Sequence, residues 1–260
     1  MKQLFCKDIY LIRKSFLITM GIYLSTFLIG LLGILSCKYG NIAKYAYDSE
    51  FYRNILQCAN YCGILGGVWF VILEEQITVL VRKDYNIGWH NYLSASGFRA
   101  RAIVGERFIL LFCLYVISLI LGIAGFIILQ TISGVNASMG VVLDVLGGHL
   151  GPVLLILASS IFMIMTGFFT VFEYIYKGKT SLKADIIKAG IIMVLFMPPA
   201  IIIATMADKD AMVEKAVEIF KGFKQHIELL YIVPIAAALM ITAIFCMVSV
   251  RLVKKEGKHV

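Results

Sequence analysis

The chain has 260 residues, of which 60% are hydrophobic and 15% are charged, and its mean hydropathy is +0.89. Soluble domains carry about a quarter charged residues, so this composition excludes a soluble globular protein. The net charge of +8 does not indicate nucleic-acid binding, because the basic residues cluster between apolar segments, as they do in membrane proteins. The composition therefore predicts an all-α integral membrane protein.

The N-terminal segment combines basic and apolar residues. Lys2, Lys7, Arg13 and Lys14 alternate with large apolar side chains, and this pattern predicts a short interfacial helix over residues 1–14. The apolar segment that follows, residues 15–37, is too long for the core of a signal peptide. We therefore expect it to be the first membrane span.

Five more apolar segments predict five more spans. Each supplies about the 20 residues that a hydrocarbon core about 30 Å thick requires. Because unpaired backbone groups cannot lie in lipid, these spans must be helical. In the fifth span, Pro198 and Pro199 remove two backbone donors and predict a hinge or a tolerated kink. The five segments are 54–73, 108–132, 152–176, 186–206 and 227–250.

The distribution of basic residues predicts the orientation. The N-terminus, the two loops 74–107 and 177–188 and the C-terminal tail hold 17 of the 24 Lys and Arg residues. Since cytoplasmic loops carry the excess of basic residues, both termini and these loops are predicted to be cytoplasmic. The opposite connections are 38–53, 133–151 and 207–226, and the apolar stripe in 207–226 predicts an amphipathic helix at the outer end.

The 74–107 loop is the longest polar segment. From Ile77 its apolar and aromatic residues recur at steps of three and four, which predicts an amphipathic helix that ends at Ser94 to Gly97. This pattern is equally typical of a solvated connector lying on the lipid headgroups. The recurring residues include Leu80, Val81, Tyr85, Trp89, Tyr92 and Leu93.

The motifs for enzymatic chemistry are incomplete. Gly178, Lys179 and Thr180 match the end of a P-loop, but the position of its first glycine is Glu173, so ATP binding by this chain is not expected. Glu74 and Glu75 resemble the paired glutamates of intramembrane CAAX-type proteases, yet the arginine that follows in those proteases is Val79 here. The chain is therefore not predicted to be catalytic by itself.

Two smaller features remain open. Glu173 is the one acidic residue embedded in apolar sequence, and Lys177 one turn later offers it an ion pair. The six cysteines lack the spacing of a zinc site, and a disulfide between Cys37 and Cys58 stays an open alternative.

Two stretches of sequence resemble the ABC-2 type permeases, and within them the short six-helix bacterial group that includes the phenol-soluble-modulin exporter permeases. The first is the basic opening from Met1 to Lys14, which contains Lys7-Asp8. The second runs from Asp84 through Trp89-x-x-Tyr92-Leu93-Ser94 to Arg107, just before the third span. This chain departs from the family at Gly97, where a proline is often found.

The resemblance implies one transmembrane subunit of an exporter in the bacterial cytoplasmic membrane. Such a subunit pairs with a second copy or a related permease and with two ATPase subunits, which bind the ATP and magnesium. The family places an amphipathic coupling helix in the loop after span two, here 74–97, and a second contact at 177–188. The implied coupling residues are Asp84, Tyr85, Trp89, Tyr92, Leu93, Lys179 and Lys183.

The transported substrate is predicted less directly. In the family the pathway forms between two copies near spans two and five, which implies two groups of lining residues here. Aromatic and methionine side chains suit an amphipathic peptide or another hydrophobic molecule better than a sugar or an ion. The two groups are Tyr61, Trp69 and Phe70, and Met193, Phe196 and Met197.

Two other classes of function fit the same sequence. One is a secondary transporter or channel, which requires buried charges along its path. The other is a membrane-anchored assembly or immunity protein that binds a partner without transport. Copurification with an ATPase subunit separates the exporter from both alternatives.

The predicted orientation is testable by cysteine labelling in intact cells. A single cysteine introduced at Ser96 or at Lys255 should be protected from a membrane-impermeant maleimide, because both positions are predicted to be cytoplasmic. A single cysteine at Lys215 should be labelled. The opposite pattern would overturn the assignment of sides.

Overall fold

The computed structural model describes residues 2–40, 50–134, 150–179, 190 and 226–256. Within these ranges the chain forms seven helices and no strands. The helices are α1 (Lys2–Tyr39), α2 (Glu50–Glu74), α3 (Gln76–Asn86), α4 (Trp89–Ala95), α5 (Ala100–Ser133), α6 (Leu150–Ile175) and α7 (Ile227–Glu256).

Five helical segments are long and apolar enough to cross a membrane, which agrees with five of the six predicted spans. They are Leu4–Tyr39, Ile55–Asn86, Ala100–Ser133, Gly151–Ile175 and Ile227–Lys255. The sixth predicted span, 186–206, and the predicted outer helix, 207–226, lie outside the described residues except for residues 190 and 226.

One predicted helix boundary is wrong, and a second helix is longer than the span predicted within it. A separate interfacial helix over 1–14 is absent, because α1 runs from Lys2 through the first span without a break. From Lys2 to Met20 the sequence contains neither glycine nor proline, and charged residues alone do not end a helix. The helix that contains the third predicted span begins at Ala100, so the basic residues before residue 108 are part of that helix.

The predicted single helix over 74–97 is also wrong, because it is divided in two. Gly88 has a φ of 79°, a left-handed conformation that suits glycine, and it separates α3 from α4. The predicted end of the segment is confirmed, since α4 stops at Ala95 and Gly97 has a φ of 77°. At the other end, α3 follows α2 after the single turn residue Glu75.

Close contact between α2 and α5 holds the centre of the bundle together. A Cβ atom on Gly67 would lie 2.7 Å from the Cα atom of Gly122, and one on Gly63 would overlap the backbone nitrogen of Phe126. Small residues at such crossings let two helix backbones approach each other. The main apolar core lies beside this contact and includes Phe70, Leu111, Leu114, Tyr115 and Met163.

Substitution of Gly63 tests this packing directly. Gly63→Ala should lower the free energy of unfolding by about 1–3 kcal/mol, because the added methyl group meets backbone that cannot move aside without separating the helices. The measurement is thermal unfolding of the purified chain in detergent. Gly21→Ala is the matched control, since no atom lies within 4 Å of its added Cβ. Equal stability of the two variants would contradict the close-packing role.

Candidate functional site

The predicted coupling segment gathers at one end of the bundle, called here the α4 end. The N-terminal turns of α1 and α5 meet α3 and α4 there, and the apolar side chains of Leu4, Leu93 and Ile103 form a small buried cluster. The Gly88 turn sets the angle between α3 and α4, because its amide donates to the Tyr85 carbonyl over 3.1 Å. The sequence thus places α4 against α1, which lies about 80 residues away along the chain.

Arg107 lies at the centre of a buried charge cluster at this end. Its side chain is 3% exposed, and its Nη1 atom lies 2.6 Å from Oδ2 of Asp8. Its Nη2 atom donates to Oδ2 of Asp84, and its Nε atom lies 3.8 Å from Oε1 of Glu106. One guanidinium therefore links carboxylates from α1 and α3 to its own helix, α5.

Lys7 completes this cluster. Its Nζ atom donates to Asp84 over 3.0 Å and lies 3.6 Å from Asp8. The same atom lies 4.9 Å from the centre of the Trp89 ring, a cation–π contact that ties α1 to α4. The cluster thus contains three carboxylates and two cations, and it fixes four helices relative to one another.

A second ion pair connects α3 to α6. Arg82 donates from Nε and Nη2 to the same Glu173 oxygen over 3.2 and 2.8 Å. Glu173 is fully buried, and Arg82 supplies the positive charge that neutralises it. The sequence alone had indicated Lys177 for this role. Residue spacing could not indicate this partner, because Arg82 and Glu173 lie 91 residues apart.

Stacked rings lie beside these ion pairs. Tyr85 and His90 stack with their centroids 4.1 Å apart, and both rings contact Tyr174 of α6 at 6.1 and 6.2 Å. The glycine of the partial P-loop has a packing role here. A Cβ atom on Gly178 would lie 2.7 Å from Tyr85 Cβ, so only glycine lets the end of α6 approach α3 this closely.

The surface of α4 borders a groove of about 360 Å³. Trp89 and Tyr92 stack along it with their centroids 5.1 Å apart, and Tyr92 is 59% exposed. Among the described residues the Lys7 amine is the one charged group that lines the groove, and the other lining side chains are aliphatic or aromatic. The lining residues are Leu4, Lys7, Trp89, Tyr92, Leu93 and Phe98.

The structure divides the predicted coupling residues into two groups. Trp89 and Tyr92 border the groove, and Lys179 is exposed at the end of α6. Asp84 is held by Lys7 and Arg107, Tyr85 packs against His90, and Leu93 is buried. These last three side chains therefore stabilise the position of α4 from inside the chain. Lys183 lies outside the described residues.

The predicted pathway residues of span two do not share one face. Phe70 is fully buried against Phe16 and Tyr23, and Tyr61 packs against Phe126. Trp69 is exposed on the outside of the bundle. The residues Met193, Phe196, Met197, Pro198 and Pro199 lie outside the described part of the chain.

No family model matches this chain, and comparison with curated proteins and with solved structures gives no significant match. The described residues contain no group of three or more His, Cys, Asp or Glu side chains that could hold a metal ion. Cys37 and Cys58 are both free thiols. The site is therefore interpreted from its geometry alone.

Buried acids are the functional candidates that sequence reasoning missed. Asp8, Glu74 and Glu106 are all buried, although each lies in a segment that was assigned to a surface helix or a loop. The available signal was the lack of a helix breaker between these residues and the neighbouring spans. A helix that continues past the predicted membrane boundary carries its charged residues into contact with the other helices.

The Arg107 cluster predicts a large and specific loss of stability. Arg107→Met should lower the free energy of unfolding by about 3–5 kcal/mol, because it removes the buried cation of the cluster and leaves Lys7 alone to balance three carboxylates. Arg101→Met, which changes an exposed arginine on the same helix, is the control. Both are measured by thermal unfolding in detergent.

A double-mutant cycle checks the assigned partner. Asp84→Asn combined with Arg107→Met should lower the free energy of unfolding by less than the sum of the two single changes, because neither charged partner is then left without the other. Additive losses would show that Asp84 and Arg107 act independently.

Proposed function

We propose that this chain is the membrane subunit of an ATP-driven exporter and that α4 docks onto a separate ATPase subunit. The observation that carries the proposal is the surface formed by Trp89 and Tyr92 beside a groove at the α4 end. Large aromatic rings beside an apolar groove are typical of the anchor points of protein interfaces. The ATP and magnesium would be bound by the partner, in the cytoplasm.

The helices behind this surface support a mechanical role. The docking helix α4 is connected through α3 to span two, and the Arg107 cluster ties α3 to α1 and α5. Because buried ion pairs and close packing resist local deformation, a displacement of α4 is passed to three membrane helices together. This is the property that an ATP-driven transporter needs between its motor and its spans.

The substrate and the oligomer belong to the same proposal. Trp69 is 41% exposed on the outside of span two, where it is available to a second copy of the chain, a related permease or lipid. Phe70 and Tyr61 are packed inside the bundle and would reach a pathway only after the helices separate. We propose an amphipathic peptide or another hydrophobic molecule as the cargo, since apolar side chains cannot replace the water lost by a hydrophilic solute.

Secondary transport is the second candidate, and the buried acids favour it. A proton-coupled or ion-coupled carrier requires ionisable side chains inside its helices, and Glu74 and Glu173 are both fully buried. The two candidates are distinguished in vesicles by the energy source. Uptake that follows added ATP and the partner subunit indicates the exporter, whereas uptake that follows an imposed proton gradient alone indicates the carrier.

The docking surface gives the main test of the proposal. Trp89→Ala with Tyr92→Ala should weaken binding of the ATPase subunit at least about 30-fold, since truncating even one interface anchor commonly costs about 2 kcal/mol or more. The tagged chain is purified from native membranes in mild detergent, and bound ATPase activity is measured. Tyr39→Ala is the control, because Tyr39 is exposed at the opposite end of α1.

Undiminished ATPase copurification by the double variant would contradict docking through α4. Absence of any copurifying ATPase from the unaltered chain would contradict the exporter itself. In that case a non-transporting assembly or immunity protein is tested next, by identifying the proteins that copurify with the chain.

A further inference from the structure

Glu74 is a buried carboxyl group that the proposed exporter does not use. It is the last residue of α2, its side chain is 0% exposed, and neither carboxyl oxygen has a hydrogen-bond partner among the described residues. Its sequence neighbour Glu75 occupies the turn between α2 and α3 and is exposed. Two adjacent glutamates thus differ completely in their access to water.

Hydroxyl side chains on neighbouring helices lie near the position of Glu74 along the bundle. Tyr115 of α5 lies within electrostatic range of Glu74, and its hydroxyl lies 3.0 Å from Ser160 of α6. One turn beyond Glu74, Thr78 lies 3.4 Å from Thr170, also of α6. These side chains are neutral, so none of them supplies a positive charge to Glu74.

The charged groups of the packed helices lie farther toward the α4 end. Arg82, paired with Glu173 of α6, follows Glu74 by eight residues, about 12 Å of helix. Asp84, which joins the Arg107 cluster of α1 and α5, follows by ten residues, about 15 Å. On α7 the described charged residues are at its ends. They are Glu228, Arg251, Lys254, Lys255 and Glu256.

On α1 the cationic residues Arg13 and Lys14 are exposed. Tyr23 of α1 contacts Phe70, one turn before Glu74, and donates its hydroxyl to the Leu121 carbonyl over 3.1 Å. An ionised carboxylate that is removed from water without a cation or a hydrogen-bond donor loses its solvation with no compensation. Binding a proton removes that charge and leaves a neutral acid whose hydroxyl can donate to a nearby oxygen.

We propose that Glu74 is a proton-binding site inside the helix bundle. Two polar pairs lie between Glu74 and the α4 end, Thr78 with Thr170 and Arg82 with Glu173. Arg82 is 29% exposed, so these pairs lie on the side of Glu74 that leads toward water.

Infrared spectroscopy of the full chain in lipid tests the proposal directly. The unaltered chain at neutral pH should show a carbonyl stretching band of a protonated carboxylic acid that shifts in heavy water. Glu74→Gln should abolish this band, whereas Glu75→Gln, which changes the exposed neighbour, should retain it. Raising the pH should remove the band and produce the carboxylate signal in its place.

Two further measurements keep the result unambiguous. Glu74→Asp retains a carboxyl group, so it should move the band instead of removing it, even if Glu74→Gln does not fold. Replacing potassium chloride with sodium chloride should leave the band unchanged. A spectrum without a band lost specifically in Glu74→Gln, or a band that sodium ions remove at constant pH, would overturn the proton-binding site. None of these measurements depends on an ATPase partner.

Discussion

The arrangement of the α4 end depends on one interaction, the buried guanidinium of Arg107 between the carboxylates of Asp8 and Asp84. The three residues belong to three helices, and hydrophobic packing alone does not fix the rotation of one helix against another. A planar guanidinium with donors in fixed directions accepts only a narrow range of carboxylate positions. The pairing therefore sets the register of α1, α3 and α5, and with it the position of the Trp89 surface.

The centre of the bundle uses a different principle. Between α2 and α5 the contact is made by backbone, because Gly63, Gly67 and Gly122 leave no side chain between the helices. Such contacts tolerate little change, since there is no flexible group that can give way. Close backbone packing in the middle and charge pairing at the end together hold α1, α2 and α5 in one arrangement.

The sequence predicted the elements that depend on local patterns. Apolar length identified five spans, and Gly97 ended α4 as expected, because both signals act within a few residues. The structure differs from the prediction where a helix continues past charged residues, as α1 does at Lys14 and α5 does before Phe108. Arg107 and Glu74 remain helical and buried because the bundle accommodates them, Arg107 through Asp8, which lies 99 residues away along the chain. Such partners cannot be read from spacing, and Glu173 with Arg82 is a second example.

The continuity of α1 has a consequence for where the partner would stand. Its 38 residues extend about 57 Å, whereas a hydrocarbon core is about 30 Å thick, and α5 with 34 residues is of similar length. This excess is larger than a modest tilt absorbs, so the ends of these helices extend into the headgroup layers, which bring the bilayer to about 40–45 Å. A soluble protein bound to α4 would then meet helix ends that already extend past the hydrocarbon core.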